Sequence, residues 1–132
     1  MAFQCTVVTP EQQVIDEQVT QAIVPAHDGQ VGILTGRAPL LVKLGVGELR
    51  LDAAGGGGQS RRFFIEGGIA QMKDDRLTIL TDEAIPAAEI SADEARAALA
   101  EASAQPATDP VAVEQRDRRM QRARAMQQIA GR

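Results

Sequence analysis

The sequence predicts an α+β protein in which an N-terminal all-β sandwich is followed by a C-terminal antiparallel two-helix hairpin. Three observations support this fold class. From about residue 3 to residue 82, apolar and polar residues alternate with a period near two, and turn residues interrupt the alternation about every 8 to 12 positions. After Pro86 the pattern changes to helix-start signals and helical spacing. We therefore expect two regions, residues 1–86 and residues 87–132.

The strand pattern begins with Phe3, Cys5 and Val7, which alternate with polar residues. Further apolar runs follow at 14–15, 19–24, 31–34, 40–44, 48–51, 63–65, 69–72 and 76–79, with turn residues at 9–11, 28–29, 38–39, 45–47, 67–68 and 74–75. One face of each strand can be buried against a second sheet, so some 80 residues suffice for a core. The glycine run Gly55–Gly58 lacks the Lys and hydroxyl residues of a phosphate-binding loop, and we interpret it as a flexible hairpin loop.

The helical pattern has two clear starts. Ser91 and Glu94 have the spacing of a capping box, which predicts a first helix to about Ala104. Asp109 and Pro110 are a typical N-cap and first helical residue, and they predict a second helix to about Ala130. The short connection between the helices favours an antiparallel hairpin.

The two predicted helices differ in charge and offer little to bury. Residues 87–110 carry a net charge of −4 and residues 111–132 a net charge of +4. Their apolar stripes consist mostly of Ala, so we expect a hairpin that docks weakly and can detach while the sandwich stays folded. Arg118, Arg119 and Arg122 should cluster on one side of the second helix, either as a solvated face or as a docking surface for an acidic partner. In the docked hairpin we expect them to use Glu94, Glu101 and their neighbours.

Composition excludes several functions. Three Phe with no Tyr or Trp cannot form a stacking platform for single-stranded nucleic acid, and a net charge of −4 argues against binding DNA phosphates. The single Cys excludes an internal disulfide, and the single His excludes a His-rich zinc site. His27 and Asp28 are a weak acid–base pair because they fall at a predicted turn, and Cys5 is expected to be a buried, inert thiol.

Four ordered segments resemble one protein family, the epsilon subunits of F-type ATP synthases. They are residues 9–11, residues 25–34 followed by 38–41, residues 64–70 and residues 77–84, whereas Arg37 stands where the family often has His. The resemblance covers the whole chain, and the sandwich-plus-hairpin architecture of that family matches the fold expected from the periodicities. It implies a non-catalytic rotor subunit of the central stalk, without cofactor or metal, that helps couple proton flow to ATP synthesis.

The resemblance also implies partners and a location. The sandwich would bind the gamma subunit and rest on the c-subunit ring, and the hairpin would extend into the alpha/beta catalytic head and inhibit ATP hydrolysis. Location would be peripheral, on the cytoplasmic side of the bacterial plasma (inner) membrane, reached only through the complex, since no apolar run approaches the roughly 18 residues needed to span a bilayer. For the ring contact we single out residues that flank turns and should project from one end of the sandwich: Gln30, Val31, Thr35, Gly36 and Arg37. Arg118, Arg119 and Arg122 are the candidates for inhibitory docking.

Some members of the family bind ATP through a motif at the start of the first helix. Asp93 and Arg96 match part of that motif, but Ala92 replaces its large apolar residue and Gln128 stands where a second Arg is expected. The loss of one of two cations weakens the case for ATP, the one regulatory ligand considered. Two other functions stay open: a stand-alone β-sandwich binding module for a small ligand, and a small enzyme that uses His27 and Asp28.

Overall fold

A computed structural model describes residues 2–53 and 60–130. The predicted glycine-run loop therefore lies outside the described residues. The described chain forms strands and helices in the predicted order. The strands are β1 (Phe3–Val8), β2 (Gln13–Ala26), β3 (Gly29–Leu34), β4 (Leu40–Lys43), β5 (Val46–Ala53), β6 (Ser60–Glu66), β7 (Ile69–Lys73), β8 (Arg76–Leu80) and β9 (Ala84–Pro86). A short 3-10 turn (Ala87–Glu89) leads to α1 (Ala92–Ala104) and α2 (Pro110–Ala130). The structure confirms the predicted fold class, a β-sandwich followed by two helices.

The strands follow one continuous hydrogen-bonded order, β4-β7-β8-β1-β2-β5-β6-β9, with β3 paired to β2. Neighbours are antiparallel except that β1 runs parallel to β8. The long strand β2 serves both layers, because residues 13–19 pair with β1 and residues 21–26 pair with β3. The register shifts between Val19 and Gln21, where β2 also pairs with β5. An irregularity of this kind bends and twists a strand, which allows one strand to pass between layers.

The apolar runs at 14–15 and 19–24 are parts of β2 and not separate strands. The polar residues between them, Asp16, Glu17 and Gln18, stay in the ladder opposite β1. Burial along β2 continues to alternate through this polar stretch. A short polar stretch therefore divides the apolar pattern in the sequence although the strand and its pairing continue across it.

The core lies between the two layers and consists of the inward-facing residues of the strands. Its largest fully buried members include Phe3, Leu49, Leu51, Ile65, Met72, Leu77 and Ile79. Gly68 directly precedes β7 and has φ +109, and a Cβ there would lie 1.9 Å from the Leu80 carbonyl oxygen. Only glycine fits this approach of two backbones.

Both helices begin where the sequence predicts. The Ser91 hydroxyl accepts from the Glu94 amide at 3.2 Å, and the Asp109 carboxylate accepts from the Ala112 amide at 2.8 Å. The two helices pack on each other, and α2 packs on β5 and β6. Ala95, Ala102, Ala123 and Ile129 are the buried helix residues.

Candidate functional site

The contact between α2 and the sandwich is centred on Arg122. Its Nη2 lies 2.8 Å from Glu83 Oε2, and its Nε lies 3.2 Å from Glu66 Oε1. Its guanidinium carbon lies 5.5 Å from the ring centroid of Phe64, which is within cation–π range. We call these four residues, Arg122, Glu66, Glu83 and Phe64, the Arg122 junction.

The alternation of β6 explains why the strand can serve two surfaces. Phe63 and Ile65 belong to the sandwich core, whereas Phe64 lies outside that cluster and is still fully buried. Successive side chains of a strand point to opposite faces, so Phe64 points to the face that α2 covers. The run Phe63-Phe64-Ile65 is therefore buried on both sides of the sheet.

The two carboxylates of the junction come from segments that are tied together by Thr81. The Thr81 side chain is buried, and its hydroxyl lies 2.7 Å from the Gly67 carbonyl oxygen and 3.3 Å from the carbonyl oxygens of Glu66 and Glu83. The Glu66 amide also donates to the Glu83 carbonyl at 3.3 Å. These bonds hold the Glu66 and Glu83 backbones side by side, so both side chains are available to one guanidinium.

The charge balance of the junction favours the ionised pair. Burial alone lowers the pKa of Arg122, but the hydrogen bond to Glu83 and the negative charges of Glu83 and Glu66 outweigh burial, and the pKa lies above its ordinary value. The side chains are 37%, 27% and 40% exposed for Arg122, Glu66 and Glu83, so water still screens part of the attraction.

A second polar contact attaches the end of α2. Arg62 of β6 donates to the Ile129 carbonyl oxygen at 3.2 Å and to Glu48 Oε2 at 3.3 Å. A cation at a helix C-terminus satisfies carbonyl groups that lack a partner within the helix. Ile129 itself is 2% exposed. The contacts at this end of α2 thus include the buried Ile129 side chain and a hydrogen bond from the Arg62 side chain to the helix backbone.

The three arginines predicted for inhibitory docking have different environments. Arg118 pairs with Glu114 of the same helix at 3.3 Å, and Arg119 donates to the Gln105 side chain at the hairpin connection. Only Arg122 contacts the sandwich among these three. The expectation that the basic helix uses Glu94, Glu101 and their neighbours fails for Arg122, because two sandwich carboxylates hold it instead. Inhibitory docking by Arg118, Arg119 and Arg122 stays a prediction.

The five residues predicted to contact the c ring lie at both ends of one strand. Gln30 and Val31 begin β3, whereas Thr35, Gly36 and Arg37 follow its last residue. With a rise of about 3.3 Å per residue, roughly 13 Å separates Gln30 from Leu34. The expectation that all five project from one end of the sandwich is therefore wrong, because the two turns they flank are at opposite ends of β3. The ring contact itself stays a prediction.

The turn at 34–37 is held by its own backbone hydrogen bond and by a hydrogen bond to Asp75 of the β7–β8 turn. The Arg37 amide donates to the Leu34 carbonyl at 3.3 Å, and Gly36 between them has φ +80, which is the geometry that requires glycine in a type II turn. The Gly36 amide donates to Asp75 Oδ1 at 2.9 Å. Asp74 and Asp75 form the tight β7–β8 turn, both at positive φ. The exposed Arg37 is thus presented on a well-defined turn.

An exposed apolar patch lies on the outer face of the β4-β7-β8 layer. Leu41, Ile69 and Leu80 are 69%, 45% and 50% exposed, and Ile69 and Leu80 are direct partners in the ladder. We define these three residues as the outer patch. A shallow groove of about 360 Å³ beside it is lined by Val8, Pro10, Gly68 and Thr81 together with Ile69 and Leu80. Exposed apolar residues that cluster in this way mark interaction surfaces.

The outer patch was not found by sequence reasoning. The apolar runs at 40–44 and 69–72 predict strands, but which member of each run faces outward depends on the register between strands. Pairing of Ile69 with Leu80 brings two outward-facing apolar residues together.

The candidate ATP residues, Asp93 and Arg96, pair with each other on the exposed side of α1. Neither lines the groove of about 330 Å³ between the two helices, whose lining includes Glu101, Arg119, Arg122 and Met126. ATP binding through these two residues stays a prediction.

The residues considered for catalysis are not arranged as an active site. His27 and Asp28 are both exposed in the β2–β3 turn. Burial raises the pKa of the Cys5 thiol to about 12, and the nearby charges of Glu17 and Asp16 act in the same direction. The thiolate is the reactive form, so Cys5 is held unreactive. Within the described ranges, no group of three or more His, Cys, Asp and Glu side chains could hold a metal ion. No helix there combines the length and apolar character needed to cross a membrane.

Comparison with known proteins gives the family. Residues 2–87 match the family model described as the beta-sandwich domain of the ATP synthase delta/epsilon chain. The ATP synthase epsilon chain of Rhodopirellula baltica is 40% identical over 124 residues, covering 94% of each chain. That of Granulibacter bethesdensis is 38% identical over 128 residues, covering 94% of this chain and 93% of the relative.

Solved structures show the same fold. One chain in a mitochondrial ATP synthase structure from Euglena gracilis, which comprises OSCP, F1 and c ring, superposes with a TM-score of 0.86. The superposition covers 94% of this chain and 78% of that chain at 24% identity. A chain from the central stalk and c-ring structure of Tetrahymena thermophila superposes with a TM-score of 0.72, covering 96% of this chain and 95% of that chain at 16% identity. The family model and the two relatives show that this chain belongs to the family of ATP synthase delta/epsilon chains.

Proposed function

We propose that this protein is a rotor subunit that couples proton translocation to ATP synthesis by joining the gamma subunit to the c-subunit ring. The hairpin inhibits ATP hydrolysis when it leaves the sandwich and extends into the alpha/beta catalytic head. The protein is peripheral on the cytoplasmic side of the bacterial plasma membrane, through the complex. Support comes from the family, from relatives that align with this chain over nearly their whole length, and from the solved structures of ATP synthases that contain chains of this fold.

The observation that carries the gamma contact is the outer patch. A rotor subunit needs a surface that stays attached during rotation, and clustered apolar residues supply attachment that salt does not screen. The patch lies on strands whose inner faces form the core, so its geometry is set by the sandwich and is independent of the hairpin. We infer that Leu41, Ile69 and Leu80 bind gamma.

The test is co-elution of the full chain with gamma and the catalytic head. Ile69→Glu and Leu80→Glu should each weaken binding at least tenfold, because each places a charge in a contact that must lose water. Val111→Glu is the matched control: Val111 is 63% exposed and lies on α2, away from the patch. Binding of all three variants as tight as that of the unaltered chain would remove the outer patch from the gamma contact. No binding of gamma by the unaltered chain would favour a stand-alone binding module.

The ring contact is tested separately at the two ends of β3. Gln30→Glu alters the beginning of the strand and Arg37→Glu alters the turn after it. Loss of proton pumping in both variants means that β3 lies along the ring surface. Loss in one variant assigns the contact to that end, and normal pumping in both removes these residues from the contact. The fold should survive, since both side chains are exposed.

A further inference from the structure

The basic face of α2 makes two kinds of contact, and the difference matters for any release of the hairpin. Arg118 pairs with Glu114 on its own helix, so that contact moves with the helix wherever it goes. Arg119 contacts Gln105, which lies at the end of α1 and is kept as long as the hairpin stays closed. Arg122 contacts Glu66, Glu83 and Phe64 of the sandwich, and all three contacts are lost when α2 leaves.

A conformational equilibrium is biased only by interactions that differ between its two states. Contacts that travel with the hairpin contribute equally to the docked and released arrangements. Contacts between α2 and the sandwich contribute to the docked arrangement alone. Among Arg118, Arg119 and Arg122, the docked arrangement therefore depends on Arg122.

The apolar part of the same interface is small, so a single polar side chain can supply a large share of the free energy of docking. Ala123 and Ile129 are the buried residues of α2, and Ala buries little apolar surface. The polar part is built on neighbouring backbone segments, because the Glu66 amide donates to the Glu83 carbonyl and the Thr81 hydroxyl lies against the carbonyl oxygens of both segments independently of Arg122. Preorganised acceptors reduce the entropy lost when the guanidinium binds.

We propose that Arg122 is a positioning residue that holds the hairpin on the sandwich and thereby opposes the inhibitory, extended arrangement. Arg118 and Arg119 lack this role and stay available for acidic groups of the catalytic head. Members of one basic face thus act in opposite directions. This assignment of opposite effects on ATP hydrolysis rests on the proposed inhibitory function of the hairpin, whereas the positioning role does not.

The positioning role is tested on the full chain alone by hydrogen exchange, because local opening is measured as faster exchange of the amides it exposes. Arg122→Ala should speed exchange across residues 110–130 roughly tenfold, equivalent to about 1.4 kcal/mol. Glu83→Gln should also speed exchange of these residues. Arg122→Lys should give an exchange rate between those of the unaltered chain and Arg122→Ala, since Lys keeps the charge but lacks the two-pronged donor geometry. Arg118→Ala is the matched control and should leave exchange within about twofold of the unaltered chain, because its partner is on the same helix.

A double variant separates a specific contact from general loss of charge. If Arg122 and Glu83 act through each other, Arg122→Ala combined with Glu83→Gln should speed exchange no more than Arg122→Ala alone. Additive effects, or equal effects of Arg118→Ala and Arg122→Ala, would overturn the positioning role. Exchange of the sandwich strands serves as the folding control and should be unchanged.

The same variants are then assembled with the gamma subunit and the catalytic head. Arg122→Ala should lower ATP hydrolysis and Arg118→Ala should raise it. Faster exchange with unchanged hydrolysis would keep the positioning role and reject the inhibitory function. Higher hydrolysis in Arg122→Ala, with or without faster exchange, would overturn the proposal that Arg122 opposes inhibition.

Discussion

The sandwich and the hairpin are built from different amounts of apolar surface. The sandwich buries large side chains from both layers, including Phe3, Leu49, Leu77 and Ile79. The two helices bury three alanines and Ile129. Full burial of a large aliphatic side chain contributes about 1.5–3 kcal/mol, so the sandwich has many such contributions and the hairpin has one.

This difference shows how one short chain can contain a permanent structure and a conditional one. The sandwich is held by burial that changes little with solution conditions near room temperature. The hairpin is attached by a few hydrogen bonds and ion pairs, among them those of Arg122 and Arg62. Hydrogen bonds and ion pairs of this kind can be replaced by equivalent groups on another protein surface. The packing of the sandwich core cannot be replaced in this way once the core is disrupted.

Matched isoleucine variants should show the largest effect. Ile79 and Ile129 are 0% and 2% exposed, one in the core and one under α2. Ile79→Ala should lower the free energy of unfolding of the sandwich by about 2–5 kcal/mol. Ile129→Ala should speed hydrogen exchange of α2 and leave urea unfolding of the sandwich unchanged. Equal losses in sandwich stability would mean that hairpin and sandwich unfold together.

Removal of residues 87–132 should be tolerated by the sandwich. The truncated chain should keep its strand circular dichroism and still assemble with gamma, because the outer patch and the core lie before residue 87. ATP hydrolysis by the assembled complex should rise. High salt screens the docked ion pairs of Arg122 and the predicted contacts of α2 with acidic groups of the head alike, so hydrolysis by the intact chain should rise with salt only if the contacts in the head weaken more. If intact and truncated chains give one rate at low and high salt, the hairpin does not inhibit.

The reactivity of Cys5 reports on opening of the sandwich and should not depend on the position of the hairpin. With its pKa raised to about 12, the thiol should resist a thiol reagent at pH 8 in the intact chain and in Arg122→Ala alike. Ile79→Ala should speed the reaction by increasing the population that opens.

Because the pKa of Cys5 is raised in the folded protein, the free energy of unfolding should fall as the pH rises above 9. The unfolded thiol ionises at its ordinary value near 9 and the folded thiol near 12. The contribution of Cys5 is therefore fully present below pH 9 and is lost as the pH rises toward 12. Cys5→Val should flatten that decline in the free energy of unfolding, and an unaltered slope would contradict the assignment.

Helix capping should have a smaller, local effect. Ser91→Ala removes the acceptor for the Glu94 amide and should cost about 1 kcal/mol, seen as faster exchange in the first turn of α1. Ser103→Ala is the control in the same helix, because that hydroxyl donates to the Leu99 carbonyl and caps nothing. Identical exchange in the two variants would show that the cap does not stabilise the docked hairpin.

The smallest expected effect is that of ATP. Asp93 and Arg96 pair with each other on an exposed face, so a nucleotide would have to break that pair to bind between them. Calorimetric titration with millimolar ATP should therefore give no binding heat. A measurable affinity that disappears in Arg96→Ala would establish these residues as a nucleotide site.

Local signals explain what could be predicted from the sequence. The caps at Ser91 and Asp109, the Asp28–Gly29 turn and the alternation through Phe3, Cys5 and Val7 act over a few residues, and each one is present in the structure. The segments of the family resemblance are also local.

Non-local pairing explains what could not be predicted. Glu66 and Glu83 are adjacent only because β9 pairs with β6 and Thr81 bonds to both segments. The outer patch depends on the register of β7 with β8, and the two ends of β3 are distinguished only once it is seen as a complete strand. The helical pattern indicates which helix lies beside Arg122 but not which residues of the sheet lie behind it.

The position of Phe64 has a consequence for the chain in solution. Its ring is fully buried on the outer face of β6 beside Arg122, although it takes no part in the sandwich core. Departure of α2 would expose an aromatic ring on a paired strand, next to two carboxylates that had just lost their cation. The released sandwich would thus carry an exposed aromatic surface next to the Glu66 and Glu83 carboxylates. The carboxylates of two such sandwiches would repel each other as their Phe64 rings approached. The acidic pair that holds the hairpin in place would also oppose direct contact between the Phe64 rings of two opened sandwiches.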